Sequence, residues 1–322
     1  MKYTKLGITL IVLVLFSTSN ATEPKLPTNI LAIGDSHTQV TFLGNADPRL
    51  SWPEHLETRI RLDTDAINAV VENIGIRGYS TANMLRNLKS LDLGVYDTAI
   101  IYGGANDSNA PREVETIEDG TRLTLSTPDE NDEKNRRYEQ GSHVIIRNTV
   151  TGDEYVRHLT GVGGQPTVRL FLSEPVPVID DFGDYEVRMD TSRNLSQMAR
   201  ILRANGVDRI AIVGAHLRAF SPGGEPFDCG SQRVEELGIQ ASTREAQKLA
   251  AENSGARFVD TLDQNLGLVC NVNPNPEELV SNPQSLHRVT GQGIPDSHLT
   301  VDGRRLFLAI PIFSAMRQEG WL

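Results

Sequence analysis

The chain has only two cysteines, Cys229 and Cys270, in 322 residues, which excludes a fold stapled by a disulfide framework. Aromatic residues make up 6%. With no strongly apolar lid in the sequence, that argues against a lipase surface built to meet fat. Positive charge is in short supply, with 31 Lys and Arg against 42 Asp and Glu and a net charge of −11. No basic face is evident, so a nucleic-acid partner is not expected. The same deficit removes the attraction to anionic lipid. After residue 16 no apolar run is long enough to span a bilayer. No internal repeat and no low-complexity tract occurs. His55, His143, His158 and His287 show no metal-ligand spacing, and neither a zinc nor a calcium motif nor a cofactor motif is present. The expectation is an enzyme or binding protein without a cofactor.

What is present begins at the N-terminus. Lys2 and Lys5, the apolar run Gly7 to Phe16, and Ser19-Asn20-Ala21 are the three parts of a secretory signal, so residues 1–21 are expected to be removed on export. An uncleaved anchor is the alternative. No cysteine follows the run to carry a lipid. The remaining chain is expected to be secreted or periplasmic, where Cys229 and Cys270 have the choice of pairing, for roughly 3–4 kcal/mol, or staying as buried thiols.

Continuous apolar strands then alternate with helical patterns. Ile30 to Ile33, Ala69 to Ile74, Tyr96 to Tyr102, Arg209 to Val213 and Arg257 to Val259 read as strands; residues 52–62, 81–91, 195–204, 243–252 and 301–316 read as helices. Strands apolar throughout imply a parallel sheet covered on both faces. The predicted fold class is α/β, a three-layer α/β/α sandwich with a flavodoxin-like parallel sheet. Residues 109–190 break the alternation and are expected to be an insertion. Residues 109–134 are polar, and the charge run at 129–137 at their end reads as a solvated loop. Strands at 144–146, 155–157, 168–172 and 185–189, with a turn at Thr151-Gly152-Asp153, read as a small β-rich subdomain. The main domain is then 22–108 with 191–322.

Four short blocks sit after strands or before the last helix: Gly34-Asp35-Ser36, Asn73-Ile74-Gly75-Ile76-Arg77-Gly78, Gly104-Ala105-Asn106-Asp107 and Asp296-Ser297-His298. Each alone has a plain alternative, a turn or a helix cap. In this order they resemble the SGNH/GDSL hydrolase family of serine esterases and acetylesterases. The resemblance covers roughly residues 27–108 and 191–320 and leaves the insertion unexplained. It implies Ser36 as nucleophile and His298 as base, with the N–H groups of Ser36 and Gly78 and the Asn106 amide as the oxyanion hole. In the commonest form of the family the aspartate stands three residues before the histidine, where this chain has Pro295. Asp296, two before, is the candidate third member, with Asp302 or a backbone carbonyl in reserve. The block Gly-Asp-Ser-His-Thr is similar to that of peptidoglycan O-acetylesterases. The implied activity is removal of short acyl groups, most simply acetyl, from a carbohydrate. The alternatives are a polysaccharide O-acetyltransferase using the same acyl-enzyme and a decayed carbohydrate-binding protein. His37 is placed to touch substrate, His216 to line the site or serve the structure, and Asp107 is unassigned.

Overall fold

The computed structural model describes residues 26–39, 51–107, 111–126, 138–164, 167–177, 184–217, 239–269, 287–289 and 295–322, with backbone alone at 239–240, 287–289 and 295–297. The expected signal at 1–21, the charge run at 129–137 and both cysteines lie outside the described residues.

The first half of the chain builds β1 (Asn29–Gly34), α1 (Trp52–Asp63), β2 (Val70–Asn73), α2 (Thr81–Leu88) and β3 (Thr98–Tyr102). Six strands follow: β4 (Arg112–Glu118), β5 (Arg122–Leu125), β6 (His143–Asn148), β7 (Glu154–Gly163), β8 (Arg169–Leu172) and β9 (Tyr185–Met189). The second half supplies α3 (Thr191–Ala204), β10 (Arg209–Val213), α4 (Ile239–Ser254), β11 (Arg257–Val259), α5 (Thr261–Val269), β12 (His287–Val289), β13 (Pro295–Leu299), α6 (Val301–Arg304) and α7 (Ile310–Gln318).

Five strands pair in parallel in the order β11-β10-β3-β1-β2, the flavodoxin-like order. Because successive side chains point to opposite faces, each central strand feeds two cores. Ile30, Ala32, Ile100, Tyr102, Ala211 and Val213 meet Trp52, Leu56 and Ile60 of α1, Leu262 of α5 and Phe307 and Ile312 near the C-terminus. Leu31, Ile33, Ala99, Ile101, Ile210 and Ile212 meet Met84, Leu85 and Leu88 of α2, Leu195, Met198 and Leu202 of α3 and Ala250 of α4. Helices on both faces explain why these strands read as unbroken apolar runs. The chain leaves β1 toward β2 on one side and returns to β3 on the other. The crevice for a ligand therefore opens beyond Gly34 and Tyr102, which are paired in register.

β4 to β9 close into an antiparallel barrel in the order β4-β5-β8-β7-β6-β9. Its core includes Val114, Ile117, Leu123, Leu125, Val144, Ile146, Leu170 and Val187, with Ala82 of α2 at the seam with the sandwich. The polar stretch 109–134, for which the sequence offered no strand, contains two. Residues 112–125 form the β4–β5 hairpin, turning through Asp119 and Gly120, both at positive φ. Only two side chains per strand are buried, which is too little apolar signal to stand out in a charged sequence. The last helix also departs from expectation: residues 305–309 widen into a π-helical turn between α6 and α7. Among the described residues no helix is long and apolar enough to cross a membrane.

Candidate active site

The turn after β1 is folded by its own backbone. The Asp35 carbonyl accepts from the N–H of Thr38 at 3.0 Å and of Gln39 at 2.9 Å, while its Oδ1 accepts from the His37 N–H at 2.9 Å. Gly34 has to be glycine, because a Cβ there would lie 2.0 Å from Thr38 Oγ1 and 2.7 Å from the Tyr102 carbonyl. This turn projects Ser36, 7% exposed, toward the crevice. Ser36 Oγ lies 2.9 Å from His298 Nε2, across 262 positions of sequence. The hydroxyl donates in this pair when the imidazole carries its proton on Nδ1, the tautomer that a general base requires.

The second block is pinned onto the first. Ile76 N–H donates to the Gly34 carbonyl at 3.0 Å, Asn73 Nδ2 to the Thr38 carbonyl at 2.8 Å, and Arg77 N–H to Gln39 Oε1 at 2.5 Å. Gly78 follows at φ 75°, a conformation that side chains resist. The third block closes on it, since Asn106 Nδ2 donates to the Tyr79 carbonyl at 3.0 Å. The Asn106 amide therefore lies against the Gly78–Tyr79 segment. Among the described residues, no hydrogen bond within the chain engages the N–H of Ser36 or of Gly78. Hydrogen bonds thus tie the loops that carry Ser36, Gly78 and Asn106 to one another.

Of the residues that hold these loops, the sequence left Asp107 unassigned, between orienting a loop and binding substrate, and gave no sign of Gln247. Asp107, next to Asn106, accepts from the Thr81 N–H at 2.9 Å, the Thr81 hydroxyl at 2.5 Å and the Thr191 hydroxyl at 2.9 Å. It is thereby shared by the first turns of α2 and α3. Gln247 of α4, also buried, donates to the Gly103 carbonyl at 2.7 Å and accepts from the Ala215 N–H at 2.7 Å. Asp107 was the last residue of a motif, whereas Gln247 carried no sequence signal.

The electrostatics centre on Asp35. It is fully buried, and desolvation pushes its carboxyl up to about 7, against the His37 N–H and with added repulsion from Asp107. Aromatic rings crowd the base: His37 stacks on His298, centroids 5.0 Å apart and planes at 18°, and His216 and Tyr102 pack beside His37.

Of the remaining candidates, Asp296 lies on β13, two residues before His298, but its side chain is outside the described residues. The Asp302 side chain, in the first turn of α6, is 74% exposed and faces Arg305 at 3.8 Å, while Thr300 caps that helix. His143 and His158 pair across β6 and β7 of the barrel, rings 5.2 Å apart. Among the described residues no group of three His, Cys, Asp or Glu is placed to hold a metal.

No curated protein matches the chain in sequence. It is similar in structure to a lipase/acylhydrolase from Enterococcus faecalis, at 13% identity and a TM-score of 0.43, over 91% of this chain and 96% of that one. A member of the lipolytic G-D-S-L family from Veillonella parvula is 12% identical with a TM-score of 0.42, over 90% and 99% of the two chains. A mutant acetyl-xylooligosaccharide esterase from Geobacillus is 12% identical with a TM-score of 0.46, over 93% and 97%. The GDSL-like Lipase/Acylhydrolase family pattern matches residues 32–306, which carry all four blocks and the barrel between them. The chain belongs to that family and is a serine ester hydrolase.

Proposed function

We propose that the protein is an exported esterase that removes acetyl or similarly short acyl groups from a carbohydrate, with Ser36 as nucleophile and His298 as base. The observation that carries this is the 2.9 Å approach of Ser36 Oγ to His298 Nε2. Ser36 Oγ attacks the ester carbonyl as its proton passes to Nε2. The negative charge on the former carbonyl oxygen is met by the N–H groups of Ser36 and Gly78 and by Asn106 Nδ2, each such donor being worth roughly 3–4 kcal/mol in the transition state. As the bond from the carbonyl carbon to the sugar oxygen breaks, Nε2–H gives that oxygen its proton, leaving an acyl group on Ser36, and water repeats the sequence to release the acid. Asp296 is the candidate to orient His298 through Nδ1.

Two further features support a carbohydrate substrate: the export signal expected at 1–21 and the Gly-Asp-Ser-His-Thr block. A cleft of about 1220 Å³ between the barrel and helices α3 and α4 is lined by Asp107, the neighbour of Asn106, and not by Ser36, Gly78, Asn106 or His298. Ser36→Ala tests the site. Hydrolysis of p-nitrophenyl acetate and labelling by a fluorophosphonate should both vanish while the melting temperature holds. Retained turnover would overturn the assignment. Acetate release from a panel of acetylated polysaccharides tests the substrate class, and acetyl appearing on an added glycan instead of in water would make the enzyme a transferase.

A further inference from the structure

His298 is carried on a strand that stands apart from the five-stranded sheet. β13 pairs antiparallel with β12 in a two-stranded ribbon, so the ladder that fixes β1 and β3 does not fix the histidine. Its imidazole nevertheless has to present Nε2 to Ser36 within a few tenths of an ångström. The hydrogen bond to Ser36 sets one distance, and a contact on the face of the ring limits its tilt about that axis. His37 stacks on His298 nearly face to face, at 18° and 5.0 Å between centroids. His37 adjoins Ser36 in the chain, and its N–H is held by Asp35 Oδ1, so it belongs to the same rigid turn as the nucleophile.

His37 is itself enclosed. The ring of His216, after β10, lies 4.8 Å away at 61°, and that of Tyr102, at the end of β3, lies 5.8 Å away at 83°. The Tyr102 hydroxyl is 2.5 Å from His216 Nδ1. His37, His216 and Tyr102 are buried, at 6%, 3% and 3% exposure. Two sheet strands thus brace a flat ring against the back of the histidine.

We propose that His37 is a positioning residue: its imidazole face, braced by His216 and Tyr102, fixes the plane of His298 so that Nε2 stays aimed at Ser36 Oγ. This rests on the reading of Ser36 and His298 as nucleophile and base. Ring geometry and not side-chain charge is what the stack supplies, so a flat apolar ring should serve in its place.

The test compares His37→Phe, which keeps a flat face, with His37→Leu, which fills similar volume without one, using p-nitrophenyl acetate and the full-length protein. His37→Leu should lower kcat about tenfold with KM within about twofold, since misplacing a catalytic group slows chemistry more than binding. His37→Phe should recover kcat to within about threefold of the parent. Melting temperatures and the fraction labelled by a fluorophosphonate correct each rate for folded sites. Should His37→Leu not fold, His37→Gln takes its place as the ringless variant. The proposal is overturned if the ringless variant keeps parental kcat, if the loss falls on KM, or if His37→Phe is as slow as the ringless variant. Ser36→Ala runs alongside: full activity there would remove the site reading itself, whereas an inactive Ser36→Ala beside a fully active His37→Leu would remove only the role of His37.

Discussion

At the scale of single residues, Asp35 has the clearest consequence. Its Oδ2 is buried with no hydrogen-bond partner among the described residues, and its carboxyl is raised from 3.8 to about 7. Between those values the folded protein holds a proton that the unfolded chain has released. Stability therefore falls as pH rises from about 4 to about 7, and the whole cost, of order 4 kcal/mol, persists above that window. Asp35→Asn keeps an oxygen for the His37 N–H and does not titrate. Its melting temperature should change less than the parent's between pH 5 and pH 8, the variant gaining several degrees on the parent at the higher pH. Parallel melting curves would show that Asp35 does not titrate there. Ser36 and His298 were legible in the sequence because their blocks carry chemistry in the residue types themselves. The stack of His37, His216 and Tyr102 was not, since it depends on which side chains three separate strand ends turn inward, and no spacing in the sequence encodes that.

At the scale of elements, the framework strands were legible because burial on both faces leaves an unbroken apolar run, and the strand boundaries moved by only a residue or two, as at β2. The β4–β5 hairpin was hidden by its exposed face, and the π turn at 305–309 has no signature of its own. The way α2 and α3 meet is a further case. Both start on one carboxylate, Asp107, which receives the Thr81 N–H and the hydroxyls of Thr81 and Thr191. A buried carboxylate is tolerable there because two helix N-termini face it and three donors satisfy it. Asp107→Ala leaves those donors stranded, at a cost of roughly 3 kcal/mol, measurable as a lower midpoint in urea. Because Asn106 is its neighbour, kcat on a small ester should fall as well. A stable variant with normal turnover would mean that the loop keeps its shape without the carboxylate.

At the scale of the whole molecule, the question is what the barrel contributes. It is fastened to the sandwich: the His143 N–H donates to Asn194 Oδ1 at 2.8 Å, Asp190 N–H to the His143 carbonyl at 2.9 Å, and Glu139 receives Asn83 Nδ2 at 2.9 Å together with Arg86. A wall held this way leaves a standing cleft between β6, β7 and β9 on one side and α3 and α4 on the other. Arg147 faces Glu186 at 3.6 Å and Arg193 faces Asp190 at 3.2 Å along it, while Arg200 and Lys248 are exposed on its helical side. Exposed charges of this kind add little to stability, so they can be removed without unfolding the protein. If an acetylated chain lies in the cleft with its ester at Ser36, the contacts along it act on the polymer alone. Arg200→Ala combined with Lys248→Ala should then lower kcat/KM on an acetylated oligosaccharide about tenfold, equivalent to roughly 1.4 kcal/mol of lost binding. The same variant should hydrolyse p-nitrophenyl acetate within about twofold of the parent, because that ester is too small to reach either side chain. An equal loss on both substrates would mean that the charges act on the site and not on the chain. No loss on either would place the polymer elsewhere on the surface and leave the barrel without a part in binding.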